Sequence, residues 1–311
     1  MMVSIIIPTY NRPALLQRAV GSALAACPGD GEVIVVDDRS DTAVKALRDV
    51  LDHPRLRILT NTGDKGAAGA RNHGVAHALG EIVMFLDDDD VMVADYPKRV
   101  LAAAQGSEAD FGFSSFAVVE GAGKSLEDWT LSNSLAAETG MLPVDVPLLI
   151  RMPGFGVGFW IRRKVFDRIG PIRTDQVLDE DGDYFCRLYG EGCKAWFDAK
   201  PGNIISRDYM RNDSHAPQLT RSVDALIESQ CHLRTFIRNQ HYFGARSEER
   251  WALIRRCLRF AAFEGVETTA QTLIRDLTPL DWRIRAWLFW QMKKRGKKFH
   301  DRRIARKLAR S

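Results

Sequence analysis

Short, unbroken apolar runs alternate with helical stretches along the first third of the chain. Residues 3–8 (VSIIIP), 33–36 and 82–86 lack a polar face, as strands buried on both sides do, and 56–59 reads as a further strand. Between them, Leu15, Leu16, Ala19, Val20 and Ala23 recur at helical spacing behind Asn11-Arg12-Pro13. Residues 41–51 read as a second helix, and the glycine-rich loop 63–69 runs into a third that ends near Gly80. Strands and helices alternating at this pace predict a parallel sheet built by crossovers.

The pattern then loosens. Residues 111–119 read as a strand, and so does the run 155–161 (FGVGFWI), whose glycines suit a close backbone approach. A helix over 162–169 stops at Gly170-Pro171, and another over 181–189 stops at Gly190. Residues 195–197 and 204–209 read as closing strands, whereas 121–153 is weakly patterned. Beyond residue 218 the periodicity is helical, over 223–238, 248–263 and 268–277. A soft boundary therefore falls near 216–220.

Composition adds limits. The 311 residues suffice for one large domain with an appendage, or for two domains. A hydrophobic content of 45% with 27% charged residues fits a soluble globular chain. No apolar run approaches the ~18 residues that a spanning helix needs, and the opening MMVSIIIPTY lacks a basic leader. Five scattered cysteines without a C-x-x-C pair point to reduced, structural thiols. These features lead us to expect a cytoplasmic protein.

The net charge of +4 hides an asymmetry. Residues 282–311 carry twelve Lys/Arg and one Asp, so the rest of the chain is net acidic. In that tail Trp282, Ile284, Trp287, Leu288, Trp290 and Met292 stand beside Lys293-Lys294-Arg295 and Lys297-Lys298. The combination resembles an interfacial amphipathic segment, with an anionic membrane surface as its partner. The bland alternative is a packed helix with a solvated basic face. No nucleic-acid recognition motif is present, so none is expected as a partner.

The candidate chemistry is acidic. Asp87-Asp88-Asp89-Asp90 follows the run 82–86 directly. Carboxylates this close repel and raise one another's pKa, and a divalent cation removes that cost. Mg²⁺ or Mn²⁺, which prefer carboxylate and phosphate oxygens, are the expected cofactors. Asp88 and Asp89 carry this reading; Asp87 is left to capping and Asp90 to solvent. An Asp at the end of the second strand, Asp38, can accept from a ribose or base, as in nucleotide folds; helix capping by Asp37 or Asp38 is the alternative. The loop 63–69 could cradle phosphate, with Arg71 beside it, although it matches no standard phosphate motif. Asp181 lies where a helix begins, which stabilises a carboxylate and also suits a general base. His215 is a loop residue whose sharper reading is metal ligation, with Asn212 a weaker alternative.

In this order and spacing, VSIIIPTYNRPALLQRAVGSAL, EVIVVDDRSDT, GAAGARNHGVAHALGEIVMFLDDDD, GFGVGFWIRRKVFDRIGPI and DEDGDYFCRL closely resemble family 2 glycosyltransferases of the GT-A fold. The resemblance covers residues 3 to about 210. It implies a Rossmann-like, mostly parallel α/β sheet flanked by helices, with a C-terminal helical extension. The catalytic domain would span 1–216, with a nucleotide-binding half (1–90) and an acceptor half (91–216), and 217–311 would form the helical region with its basic tail. By position, Pro8, Tyr10 and Asp38 would contact base and ribose, and Arg71 the base or phosphates. Asp87-Asp88-Asp89 matches D-x-D, so Asp89 would ligate the metal and Asp88 would touch ribose or donor sugar. Asp181 would be the base of an inverting transfer.

Two positions depart from the family pattern. Tyr209-Met-Arg-Asn212 replaces the usual Tyr-x-Arg-His, with His215 three residues later, and Gly182 replaces the usual aromatic after the acidic pair. The implied activity moves a sugar from a nucleotide-sugar, most simply a UDP-sugar, to a glycan or lipid-linked glycan acceptor at the cytoplasmic face. A sugar-nucleotide pyrophosphorylase would share the sheet but carries a longer glycine-rich signature after strand one. A non-catalytic nucleotide- or glycan-binding module would need no base at Asp181.

Overall fold

A computed structural model describes residues 1–41, 53–119, 127–129, 138–206 and 223–308. Asn212, His215 and most of the helix expected over 41–51 lie outside them. The described residues form two compact units. The first comprises Met1–Val146, Ile150–Asp175 and Arg187–Gln218; the second comprises Pro147–Leu149, Gln176–Cys186 and Leu219–Ser311.

The first unit is built on one sheet. β1 (Val3–Thr9) and β2 (Glu32–Asp37) are buried at every position, as their unbroken apolar runs require. With β3 (Leu56–Thr60) and β4 (Ile82–Phe85) they form a parallel array in the order β3-β2-β1-β4. α1 (Pro13–Ala26) starts with proline in its first turn, where a missing N–H costs nothing. Its Leu16, Ala19, Val20 and Ala23 pack with Ile5, Ile7, Val33 and Val35 in the core. α2 (Ala67–His77) follows the glycine-rich loop.

Beyond β4 the sheet continues as β4-β9-β6-β10-β5. The strands are β5 (Val91–Met92), β6 (Phe111–Val119), β9 (Trp160–Arg162) and β10 (Ala195–Ser206), with α3 (Tyr96–Gly106) between β5 and β6. β9 runs antiparallel to β4 and β6, while β6 and β10 are parallel. Short β7 (Glu127–Trp129) pairs with β6, and β8 (Gly140–Met141) with β10. α4 (Arg163–Ile169) leaves β9 directly.

Two expectations need correction. The run 155–161 is a strand only at its end, because Gly154 and Gly158 turn the chain at φ of 102° and 59°; its apolar side chains are buried in a turn. The two closing strands are one, β10, with register shifts around Pro201. Proline cannot donate to the ladder, so the strand bulges there instead of ending.

Among the described residues the second unit contains the start of α5 (Glu180–Gly190) and four further α-helices. These are α6 (Ala225–Asn239), α7 (Glu248–Glu264), α8 (Glu267–Asp276) and α9 (Leu280–Leu308). Asp224 caps α6 by accepting from the Leu226 N–H, and Ser247 caps α7 by accepting from the Arg250 N–H. Among the described residues no helix is long and apolar enough to cross a membrane. All five cysteines are free and buried.

Candidate active site

The order β3-β2-β1-β4 places a topological switch between β1 and β4. Ligands of open α/β sheets bind beyond the carboxyl ends of the strands at such a point. The acidic run lies there, just past β4. The Thr9 hydroxyl, at the end of β1, donates to Asp88 Oδ2 at 2.7 Å. Arg12 Nη1 donates to Asp88 Oδ1 at 3.0 Å and to Asp89 Oδ2 at 3.2 Å. Arg18 donates through Nη2 to the Asp89 carbonyl at 2.5 Å. Arg12 is the residue before α1 and offers that helix no side-chain cap; its guanidinium serves the carboxylates instead.

The carboxylates are distributed differently from expectation. Asp87 pairs with Arg71 at 2.8 Å. Asp90 does not face solvent: it is 5% exposed. The turn after Phe155 closes over this corner, and a Cβ on Gly156 would stand 2.7 Å from Asp87 Oδ2. Burial, then the charges of Asp87 and Asp89, hold the Asp90 carboxyl well above the ordinary range. Burial also pushes Asp88 up to about 6, against the pull of Arg12 and the Thr9 hydroxyl.

The nucleotide-side candidates are placed individually. Pro8 is buried in β1 opposite Val36. Tyr10 is 40% exposed, with Lys65 Nζ 4.5 Å from its ring centre. Asp38 is buried and accepts from Asn61 Nδ2 at 2.6 Å and from the Gly66 N–H at 2.7 Å. Asn61 also donates to the Asp64 carbonyl and accepts from Gly63. The glycine-rich loop is thus stapled to the end of β2, and one of its N–H groups is spent on Asp38. Asp37 accepts from Ser40 N at 3.0 Å, a local turn contact. Arg71 is buried against Phe155 and Phe85.

The donor set can be weighed against Mg²⁺ or Mn²⁺. Among the described residues no three His, Cys, Asp or Glu side chains converge as a cage. Asp88 and Asp89 offer hard oxygens, and the Arg12 cation already bridges them. The two carboxylates suit an ion completed by phosphate oxygens, the usual mode for Mg²⁺ at phosphorylated substrates, and Arg12 competes with such an ion for the same oxygens. The residues fit.

Asp181 belongs to the second unit, in the first turn of α5, where its Oδ1 accepts from Gly182 N at 2.6 Å. The turn is anchored by Asp179, which sits at φ 65°, a conformation that Asp tolerates better than most residues. Its carbonyl accepts from Asp183 N at 3.0 Å and from Gln176 Nε2 at 2.9 Å. Its carboxylate is ion-paired to Arg256 of α7, and His232 Nδ1 of α6 lies 3.2 Å away. Burial would raise the Asp179 pKa, but Arg256 and His232 outweigh it and hold the group below the ordinary range. Burial likewise opposes the Arg256 charge, yet Asp179 and then Asp181 raise its pKa.

The glycine after the acidic pair now has a cause. A Cβ on Gly182 would meet Asp179 Oδ1 at 2.3 Å and Arg256 Nη1 at 2.9 Å. Inside a helix, Gly→Ala usually gains up to ~1 kcal/mol. Here overpacking, typically ~1–3 kcal/mol, should reverse the sign. Gly182→Ala is expected to lower the midpoint of chemical denaturation; a gain in stability would show that the space beside Arg256 is not needed.

Thr9, Arg12, Asn61, Asp179 and Arg256 were absent from the sequence-based candidates. Arg12, in Asn11-Arg12-Pro13 just after strand one, is the one with a local cue.

The comparisons with known proteins agree with this architecture. Residues 4–170 match the profile of glycosyl transferase family 2. Succinoglycan biosynthesis protein ExoO of Rhizobium meliloti is 35% identical over 194 residues, 61% of this chain and 56% of that protein. UDP-Glc:alpha-D-GlcNAc-diphosphoundecaprenol beta-1,3-glucosyltransferase WfgD of Escherichia coli is 32% identical over 120 residues, 38% and 47% of the two chains. The matched segment spans about half the length of these curated relatives. The crystal structure of S. aureus TarS 1-349 in complex with UDP-GlcNAc is similar at a TM-score of 0.64 and 18% identity, over 97% of this chain and 92% of that one; the likeness is one of fold. With more than half of its length matched by the family profile, the chain belongs to glycosyl transferase family 2, on a GT-A fold.

Proposed function

We propose that the protein is an inverting glycosyltransferase that uses a nucleotide-sugar, most simply a UDP-sugar, and a divalent Mg²⁺ or Mn²⁺ ion. Its acceptor is a hydroxyl of a glycan or lipid-linked glycan in surface-polysaccharide synthesis. The observation that carries this reading is the Thr9–Asp88–Arg12–Asp89 cluster at the switch point of the sheet. The relatives named for succinoglycan synthesis and for a UDP-Glc-dependent glucosyltransferase support the choice of donor and acceptor class. Five buried free cysteines support a reducing, cytoplasmic setting.

The roles follow from the chain's own groups. Asp89, with Asp88 beside it, would hold the ion, and Asp88 would face the ribose or donor sugar. When bound, the ion supplies Lewis-acid stabilisation of the charge on the departing diphosphate. Tyr10, Pro8 and Asp38 would frame the base and ribose, with Arg71 near the base or phosphates. His215 remains a candidate ligand. Asp181 accepts the proton of the acceptor hydroxyl as that oxygen attacks the anomeric carbon. The bond to the diphosphate breaks on the opposite face, and the configuration inverts.

Thermal unfolding tests the site. A ligand at a hundred times its Kd stabilises the folded state by ~2.7 kcal/mol. UDP is expected to raise Tm with Mn²⁺ present and far less with a chelator, and Asp89→Asn should remove the Mn²⁺-dependent part. Identical UDP shifts with and without metal, in both proteins, would discard the metal assignment.

A further inference from the structure

α9 shows two apolar faces, of which one is buried among the described residues. Trp282, Ala286 and Trp290, at four-residue spacing, are buried. Trp282 packs edge-on to Trp251 of α7 with ring centres 5.5 Å apart, and Phe289 also lies edge-on to Trp251. At 100° per residue, Leu280, Ile284, Trp287, Leu288 and Met292 fall on the opposite side. All five are exposed, Trp287 at 49% and Leu288 at 56%. The aromatic-aliphatic set of the tail is therefore split: Trp282 and Trp290 belong to the core of the helical unit, and Ile284, Trp287, Leu288 and Met292 do not.

The charge around this stripe is one-sided. Residues 282–311 hold twelve Lys/Arg against Asp301 alone. Lys293 lies over the Phe289 ring, and Lys294 pairs with Glu267 of α8. A second copy of the chain laid on this face would bring like charge against like charge. An anionic surface satisfies the basic residues and covers the apolar stripe together, and neither feature alone gives stable membrane attachment. The helix is about 43 Å long at 1.5 Å per residue, and it is too charged to cross a bilayer.

We propose that the exposed Leu280–Ile284–Trp287–Leu288–Met292 face of α9, with its basic flanks, docks on the anionic surface of a lipid bilayer. It lies in the interface, with Trp287 at headgroup level. The proposal stands on α9 and does not depend on the role of Asp181 or of the metal.

Flotation of the full chain with vesicles is the test, using phosphatidylcholine alone and phosphatidylcholine mixed with phosphatidylglycerol. Binding is expected only to the mixed vesicles and should fall as salt rises. Each basic residue near an anionic surface is worth about fivefold in partitioning. Arg295→Gln, on the exposed side of α9, should then weaken binding about fivefold. Trp287→Ser with Leu288→Ser should weaken it by at least about tenfold, since two apolar side chains leave the interface. Trp287, Leu288 and Arg295 are all exposed, and unchanged circular dichroism would verify the fold of each variant. Equal flotation of the wild type and both variants would overturn the proposal. So would a concentration-dependent dimer abolished by Trp287→Ser, which would give the face to a second copy.

Discussion

Asp181→Asn is expected to lose about 10²–10⁴ in kcat, the usual contribution of a positioned general base, while donor affinity stays unchanged. Asparagine keeps the size of the side chain, and its carbonyl oxygen can still accept from Gly182 N, as Oδ1 does now at 2.6 Å. What it lacks is the capacity to take a proton. The loss should therefore appear in the chemical step and not in binding. Single-turnover transfer measured beside UDP-sugar binding separates the two. A variant with near-normal turnover would remove Asp181 as the base. A wild type that binds nucleotide-sugar but never transfers or hydrolyses it would favour the binding-module reading.

How far the fold could be read depended on how each element is buried. β1, β2 and β4 fall within a residue or so of their apolar runs, because strands covered on both faces leave an unbroken imprint. β5 and β8 are two residues each and leave no periodicity to find. The run 155–161 carried the right composition but the wrong conformation, since two glycines at positive φ turn it.

The candidate site divided in the same way. Carboxylates at the ends of apolar strands were visible because their position is written in the local sequence. Their partners were not: Thr9 and Arg12 are 79 and 76 residues from Asp88, and only the strand order brings them together. Gly182 looked like a defect in a motif until Arg256, 77 residues from Asp179, was found beside it.

That long-range pair predicts the second large effect. Arg256→Gln should destabilise the protein by about 3 kcal/mol, the low end of the ~3–5 kcal/mol for breaking a buried ion pair. The low end applies because the Arg256 side chain is 30% exposed and partly screened, whereas that of Asp179 is 1% exposed. Removing the guanidinium leaves a buried carboxylate in a left-handed backbone position, with the His232 ring still beside it.

The pH dependence carries a definite sign. Asp179 is held below its ordinary value of 3.8, so its stabilisation is present above that pH and is lost as pH falls through the lower, folded-state value. The gap between wild type and variant should thus be largest at neutral pH and shrink as the pH falls into the acid range. Asp179→Asn combined with Arg256→Gln should recover part of the loss, because it no longer buries an unpaired charge. Positioning adds a second readout. Asp179 starts the turn that carries Asp181, so Arg256→Gln assayed well below its Tm should lower kcat with donor affinity intact, and Arg256→Lys should restore part of it. Full stability in Arg256→Gln would mean that Asp179 needs no cation. Lost stability with normal kcat would make the pair a support of the helices alone.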